Sequence, residues 1–357
     1  HVRKNTELEP KSVNFQRTVV LWRKIRRLVT KNLTNYCSTK HSFIFSFEPM
    51  KRFLIKTILT IVVVFVIALS LDALITFNLR HSPARMFSTY NAIYSDTLQC
   101  DAVVMGSSRG QVQYDVRILD SILGFNVYNL SVDGRCIDAE VVMYNAYRQH
   151  APKPKIIIQN IDAGTVQMSN GYEREQYLPF LDKDDLYEQT FENEGFTWAD
   201  RRLPLVRYAG YHEVIKEGLG LKNKMNKPKL FKGYVPRDEV WDGSVFREID
   251  SLNFYCNPDA VAIFDRYLAQ CKDDGIHVVM VYAPFYIGAT KLMRESVQEM
   301  FDLYQSFADR YGCDILNYTY DSICYDTLCF YNANHLNKRG AERFSLKLAN
   351  DLKALIQ

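Results

Sequence analysis

Beyond residue 100 the sequence alternates between short apolar runs and longer segments in which apolar residues recur at helical spacing. The runs are typical of strands at 102–105, 125–130, 155–161, 276–282 and 314–316. The longer segments cover 112–123, 137–149, 258–274, 292–311 and about 338–356. Because such repetition buries a parallel sheet between helices, it predicts an α/β fold, a three-layer α/β/α sandwich around a five-stranded parallel sheet.

The alternation stops between about 163 and 255, where aromatic residues, charges and chain breakers dominate. We interpret this stretch as an insertion at the carboxyl edge of the third strand, where it would cap the active face. Its aromatic residues include Tyr172, Tyr177, Trp198, Tyr208, Tyr211, Tyr234 and Trp241. They suit either of two roles, stacking on sugar rings or packing a small core of the insertion itself.

An apolar stretch at 53–77 carries no charge from Thr57 to Leu71 and is long enough to span the ~30 Å core of a bilayer. Lys51, Arg52 and Lys56 mark its N-terminal side as cytoplasmic, so the C-terminal body is expected on the outer side. We therefore predict a transmembrane signal anchor at 50–78. A cleaved signal peptide, with a small-residue site at 68–70, is the alternative.

Two further segments flank the predicted anchor. Residues 79–99 are expected to form a polar connector to the domain at 100–357. The first methionine is Met50, directly before Lys51 and Arg52. Since bacterial secreted or anchored proteins commonly begin in this way, we interpret 1–49 as upstream sequence from an early start assignment, or as a disordered cytoplasmic tail.

Charge and cysteine content exclude some functions. The formal net charge of +3 over 357 residues is too small to indicate a nucleic-acid partner. The eight cysteines form neither a Cys-x-x-Cys motif nor a cluster with zinc-ligand spacing, so no metal or other cofactor is expected. Cys324 and Cys329 could form a local disulfide, although buried free thiols are the simpler interpretation.

The first predicted strand ends at Gly106, and Ser107 and Ser108 follow immediately. The carboxyl edge of a parallel sheet is where open α/β folds place their chemistry, so either serine is a candidate nucleophile. A serine nucleophile needs a base, usually histidine. Among seven histidines, His335 lies in a polar loop after the fifth strand, at the same edge, whereas His277 lies within the fourth strand and is expected to pack in the core. A helix-capping role beside Asn337 is the other interpretation of His335.

The turn Gly106-Ser107-Ser108-Arg109-Gly110 also fits the Gly-x-Ser-x-Gly elbow of α/β-hydrolases, but that fold places its nucleophile after several strands. The chain instead resembles the SGNH/GDSL hydrolase superfamily over about 100–357, which implies a flavodoxin-like sheet. That resemblance assigns Ser108 as the nucleophile and His335 as the base. It assigns the oxyanion site to the amide of Ser108, to Gly134 after the second strand and to Asn160 after the third.

One position departs from the superfamily pattern. Three residues before His335, where Asp is expected, the chain has Asn332. Asparagine accepts a hydrogen bond from the imidazole but does not stabilise the imidazolium by charge. Three outcomes are open: a Ser–His pair suffices, Asp326 reaches His335 instead, or the protein is a weak or inactive relative.

The resemblance implies a membrane-anchored esterase that acts on acyl groups, principally O-acetyl groups, of glycans or other envelope esters outside the bacterial cytoplasmic membrane. The anchor and the site residues are similar to the branch that acts in D-alanylation of teichoic acids and O-acetylation of exopolysaccharides. Two alternatives remain. One is an O-acyltransferase that works beside a membrane-bound acyl-donor protein, and the other is a non-catalytic envelope scaffold or glycan-binding protein.

Overall fold

The computed structural model describes residues 23–24, 26–27, 47–168, 174–191, 194–221, 230–243, 254–293 and 296–356. The chain divides into two compact units, 1–63 and 64–357. The interpretation of 1–49 falls almost entirely outside the described residues. Everything discussed below as the domain belongs to the second unit.

The predicted five-stranded parallel sheet is confirmed. Its strands are β1 (Ala102–Met105), β2 (Val127–Asn129), β3 (Ile156–Asn160), β4 (His277–Tyr282) and β5 (Asp314–Asn317). They lie in the order β2-β1-β3-β4-β5, and all four pairings are parallel. This is the flavodoxin-like order: β2 is added on one side of β1, and β3, β4 and β5 are then added in turn on the other side. Every residue of β1 and β3 is buried, as their unbroken apolar sequence predicts.

Helices cover the sheet in two groups, as expected for a doubly wound fold. In chain order the described helices of the domain after β1 are α3 (Ser108–Gln113), α4 (Val116–Leu123), α5 (Ile137–His150), α6 (Asp184–Thr190), α7 (Trp198–Arg202), α8 (His212–Gly218), α9 (Pro258–Asp273), α10 (Ile287–Met293), α11 (Ser296–Tyr311) and α12 (Lys338–Ile356). Helix α12 packs on α3 and α4, whereas α9 packs on α5 and α11. The segments predicted as single helices at 112–123 and 292–311 each form parts of two helices.

A long apolar helix, α1 (Phe47–Arg80), precedes the sheet. Among the described residues it is the one helix long and apolar enough to cross a membrane. Most of its large apolar side chains between Phe53 and Phe77 are exposed. Near its end Ile75 and Leu79 are buried in the core of the domain, so the last turns of this helix are part of the domain's packing.

Residues 79–99 are more than the polar connector that the sequence predicts. It contains α2 (Arg85–Ile93), in which Phe87, Tyr90 and Ile93 are buried. These three residues recur every third position and form one apolar face. Short amphipathic segments of this kind are dominated in the sequence by their polar residues, although their tertiary packing determines the structure.

The structure also decides two smaller expectations, one about His277 and one about the cysteines. His277 is not a core residue: it begins β4 at the amino edge of the sheet, its side chain is 38% exposed, and its Nε2 lies 2.7 Å from Asp314 Oδ2. The seven cysteines in the described part of the chain are free thiols, and both Cys324 and Cys329 are buried. Burial of the free thiols is therefore the correct alternative for this pair.

Candidate active site

Ser108 lies at the start of α3, directly after the turn that ends β1. Gly106 occupies this turn with a φ of 153°, and a Cβ at this position would lie 2.8 Å from Cβ of Asn160. A larger residue would therefore push β1 and β3 apart at their carboxyl ends. Glycine allows the chain to turn here and to present Ser108 at the edge of the sheet.

His335 approaches Ser108 from a small antiparallel hairpin formed by β6 (Phe330–Asn332) and β7 (His335–Leu336). Its Nε2 lies 2.8 Å from Oγ of Ser108. Its Nδ1 lies 2.9 Å from Oδ1 of Asn332, which also accepts the backbone N–H of Asn334 at 2.9 Å. The oxygen of Asn332 thus faces the imidazole, so Nδ1 carries the hydrogen and Nε2 is free to accept the Ser108 proton.

The surroundings of His335 favour its uncharged form. Burial is the main cause that lowers the pKa of His335 from 6.5 to about 4; the charges of Arg109 and Arg237 also lower it, whereas those of Asp133 and Asp162 raise it. Asn332 contributes no opposing negative charge. The imidazole is therefore neutral, and able to accept a proton, throughout the neutral pH range.

The ring of Tyr331 stacks on the His335 imidazole, with centroids 5.2 Å apart and planes inclined by 20°. The Arg237 guanidinium lies over the same Tyr331 ring, 5.6 Å from its centroid. Arg237 belongs to the inserted segment, whose described part at 230–243 bonds to the hairpin from Trp241 N–H to Phe330 O at 2.9 Å and to the start of α12 from Lys338 N–H to Arg237 O at 2.6 Å. The insertion therefore braces the hairpin that carries His335.

Asp326 does not supply the missing carboxylate. It accepts the backbone N–H of Leu328 and pairs with Arg343 at 2.8 Å and Arg339 at 3.5 Å. Burial raises the pKa of Asp326, but the Cys329 thiol together with these partners holds it below its usual value. Because the Nδ1 of His335 is bonded to Asn332, the possibility that Asp326 completes the site is wrong.

Asn160 lies at the carboxyl end of β3, buried and beside the serine turn. Its Oδ1 accepts the hydroxyl of Tyr114 at 2.9 Å, and its Nδ2 donates to Oδ2 of Asp162 at 3.2 Å. These bonds fix the orientation of the amide. One of the two Nδ2 hydrogens is used by Asp162. Asn160 is fully buried and does not line the cavity beside Ser108, so its oxyanion role stays a prediction from the resemblance.

Gly134 is less closely associated with the serine. The loop after β2 adjoins the turn, since Val132 N–H donates to the carbonyl of Gly106 at 3.0 Å. Gly134 itself is exposed, with a φ of 70°, and does not line the cavity beside Ser108. Its oxyanion role therefore stays a prediction from the resemblance.

A cavity of about 340 Å³ opens beside Ser108. Its wall consists of Ser107, Ser108, Arg109, Asp162, Ala163, Gly164, Gln167, Tyr282, Phe285, Asn334 and His335. Of the described insertion, only the residues directly after β3 contribute, so the predicted cap over the active face is not seen among the described residues. The buried aromatic residues of the insertion instead pack against the rest of the domain, Tyr177 on Tyr90, Tyr208 beside Thr76 and Trp241 on Tyr286. Trp198 is exposed, and Tyr172 lies outside the described part.

Two charged residues of this wall were not singled out from the sequence. The Arg109 guanidinium is buried, donates to the Ala283 carbonyl at 2.6 Å, and lies 3.4 Å from Asp162 Oδ2. Asp162 also accepts the Gly164 N–H at 2.8 Å. Arg109 and Asp162 thus connect α3, the loop after β3 and the loop after β4. Both residues lie close in the sequence to a predicted site residue, since Arg109 follows Ser108 and Asp162 is two positions after Asn160. This proximity is the signal by which they could have been found.

No group of three or more His, Cys, Asp or Glu side chains with metal-binding geometry occurs among the residues that the structure describes.

No protein-family profile matches the chain, and no curated protein matches it significantly. Solved structures similar to it include a candidate lipolytic protein of the G-D-S-L family from Desulfitobacterium hafniense DCB-2, at 11% identity and a TM-score of 0.35 over 70% of this chain and 97% of that one. A candidate platelet activating factor from Streptococcus pneumonia has 10% identity and a TM-score of 0.39 over 83% and 98%. The lipase/acylhydrolase from Enterococcus faecalis has 10% identity and a TM-score of 0.33 over 71% and 95%.

These TM-scores are low, so the assignment of a function rests on the geometry of this chain's own site. That geometry has a serine after the first strand of a flavodoxin-like sheet, an asparagine after the third, and a histidine on a hairpin near the C-terminal helix. These are the positions expected from the SGNH/GDSL hydrolase superfamily, which the chain resembles.

Proposed function

We propose that the protein is a serine esterase of the SGNH type, with Ser108 as nucleophile and His335 as general base. The observation that carries the proposal is the 2.8 Å contact between Ser108 Oγ and His335 Nε2, with Asn332 bonded to the opposite ring nitrogen. A hydroxyl, a base and a group that orients the base, all within hydrogen-bond distance, form the arrangement that activates a serine.

In the proposed reaction, the Ser108 proton passes to His335 Nε2 as Oγ attacks the ester carbonyl. The carbonyl electrons move to oxygen, where the Ser108 N–H, the second Nδ2 hydrogen of Asn160 and the Gly134 N–H would donate, each contributing about 3 kcal/mol. The tetrahedral intermediate collapses to an acyl-serine, and His335 gives the proton to the departing alkoxide. Water then attacks the acyl-serine by the same route.

Asn332 affects one step of this sequence. In a serine protease triad, replacing the aspartate by asparagine lowers the rate about 10⁴-fold, partly because the histidine then adopts the wrong tautomer. Here the carbonyl oxygen of Asn332 faces Nδ1, so the tautomer is suitable for catalysis. Only the electrostatic stabilisation of the imidazolium is missing, which supports an active but slow enzyme.

For the substrate, we propose short acyl esters, principally O-acetyl groups, on glycans outside the bacterial cytoplasmic membrane. The cavity of about 340 Å³ is near the lower limit for ligand pockets and suits a small acyl group. The apolar helix α1, with Lys51, Arg52 and Lys56 at its start, supports an anchored protein whose domain faces outward. Transfer of the acyl group to a sugar hydroxyl instead of water would use the same residues.

Labelling with a fluorophosphonate tests the assignment, because this reagent phosphonylates an activated serine. We expect the full-length protein in detergent micelles to label at Ser108, the Ser108→Ala variant not to label, and His335→Gln to label roughly 10³-fold more slowly. Ser107→Ala is the matched control and should label like the wild type. Failure of the wild type to label, or equal labelling of Ser108→Ala, would contradict the proposal and favour a non-catalytic scaffold.

A further inference from the structure

A part of the insertion that is distant in sequence from the His335 hairpin packs against the end of helix α1. The backbone N–H of Leu205 donates to Asp72 Oδ1 at 2.9 Å, and the Arg207 guanidinium lies 3.5 Å from Asp72 Oδ2. The Tyr208 hydroxyl is 2.7 Å from Oγ1 of Thr76, and Asn78 Nδ2 donates to the Gly218 carbonyl at 2.6 Å. Residues 203–221, which we name the collar, therefore contact α1 along 72–78.

The contacts on Asp72 indicate where the collar lies relative to a membrane. From Phe53, about 20 residues of helix at ~1.5 Å each cover a hydrocarbon core of ~30 Å. Asp72 thus falls at the outer end of that core, and the next apolar residues, through Phe77, extend into the headgroup layer. A carboxylate at such a depth needs a partner, and the collar provides a guanidinium and a backbone N–H. With α1 crossing the bilayer, on which this inference rests as part of the proposed function, the collar is held at the level of the headgroups.

The outward side chains of the collar suit that environment. Leu203 and Val206, on either side of the Asp72 contact, are 38% and 36% exposed. Leu219, directly after the Gly218 contact, is 38% exposed, and Leu221 is 70% exposed. Exposed apolar side chains grouped around the end of an apolar helix mark a surface that meets lipid rather than water. The exposed Arg202 beside Leu203 adds a charge suited to lipid phosphates.

We propose that the collar is a membrane-contacting surface that inserts Leu203, Val206, Leu219 and Leu221 into the outer headgroup layer of the phospholipid bilayer crossed by α1. The collar is continuous with the apolar surface of α1, which commits it to lipid as its occupant. The Asp72–Arg207 pair and the bonds to Thr76 and Asn78 hold it at that depth.

Tryptophan quenching in lipid tests this proposal with the full-length protein. Trp22 and Trp198 are replaced by phenylalanine, and the buried Trp241 is kept as a constant background. Val206→Trp and Leu221→Trp then report from the collar, and Tyr320→Trp, at a 73% exposed position after β5, is the matched control. The variants are reconstituted in phosphatidylcholine vesicles whose acyl chains are brominated near the headgroup, and circular dichroism verifies that each is folded.

We expect blue-shifted emission and roughly twofold stronger quenching at 206 and 221 than at 320, because interfacial side chains reach ~5–10 Å into the headgroup boundary. Emission at 206 and 221 that matches the control would overturn the proposal, whether all three positions are quenched or none is. Absence of quenching in these lipid-only vesicles would exclude lipid as the occupant. The outcome does not depend on whether Ser108 reacts with a fluorophosphonate.

Discussion

The end of helix α1 and the Ser108 site each hold an ionisable side chain largely shielded from water, but they differ in the partner that they provide. Asp72, whose side chain is 14% exposed, has the opposite charge of Arg207 3.5 Å away. His335 has the uncharged amide of Asn332 at 2.9 Å. Charge pairing is therefore present where the domain packs on its apolar helix, and it is absent where a neutral base is needed.

The difference has a physical consequence in each region. A shielded carboxylate without a cation would be strongly unfavourable, so the Asp72–Arg207 pair joins two segments that are far apart in sequence. Burial lowers the pKa of His335 to about 4, and no carboxylate is bonded to the ring to oppose it. The first arrangement stabilises packing, and the second keeps the base deprotonated at the expense of imidazolium stabilisation.

The largest effect is expected at the charged pair. Asp72→Ala leaves the Arg207 guanidinium shielded and unpaired, so we expect the free energy of unfolding in detergent micelles to fall by about 2–3 kcal/mol. Lys216→Ala, which removes an exposed pair with Glu213, is the control and should cost no more than about 0.5 kcal/mol.

Adding Arg207→Met to Asp72→Ala sharpens this comparison. The double variant should recover much of the lost stability, because the uncompensated charge is then gone. Equal thermal stability of Asp72→Ala and Lys216→Ala would show that the Asp72 pair does not hold the collar.

A smaller, opposite change is expected at the histidine. Asn332→Asp adds the missing carboxylate and stabilises the imidazolium in the transition state, so ester hydrolysis at pH 7 should become about 10- to 100-fold faster. Asn332→Ala, which removes the acceptor without adding charge, should be slower than wild type. Steady-state kcat/KM with a chromogenic acetyl ester measures both. An unchanged rate in Asn332→Asp would mean that the residue at 332 does not act on His335.

Much of the fold follows from local pattern. The five strands were predicted because their apolar runs end at glycine, proline or polar residues that fall within a few positions of the observed ends. The pairing of Ser108 with His335 is predictable because both residues follow strands of a parallel sheet, and the carboxyl ends of those strands share one edge. The spacing of Asn332 from His335 indicated its place, and the geometry confirms the contact.

The features that were missed depend on residues far apart in the chain. Asp72 and Arg207 are separated by 135 residues (207 − 72), and neither has a local signal that predicts its partner. Helix α2 is not predictable from its own sequence because its buried face packs on distant segments, the helix α5 and the inserted segment, as the ring of Tyr177 against Tyr90 illustrates. Sequence periodicity reports which side of an element is apolar but not what covers it.

The dependence of kcat/KM on pH, compared between wild type and Asn332→Asp, tests most directly the claim that Ser108 is activated by a neutral His335 beside an uncharged partner. Only the deprotonated imidazole accepts the serine proton, so activity is lost as pH falls through the pKa of His335. We predict that wild-type activity is constant from about pH 5.5 to 8 and declines toward pH 4. In Asn332→Asp the carboxylate raises that pKa, so the decline should begin at higher pH. Identical profiles in the two proteins, or a wild-type decline near pH 6.5, would contradict the account.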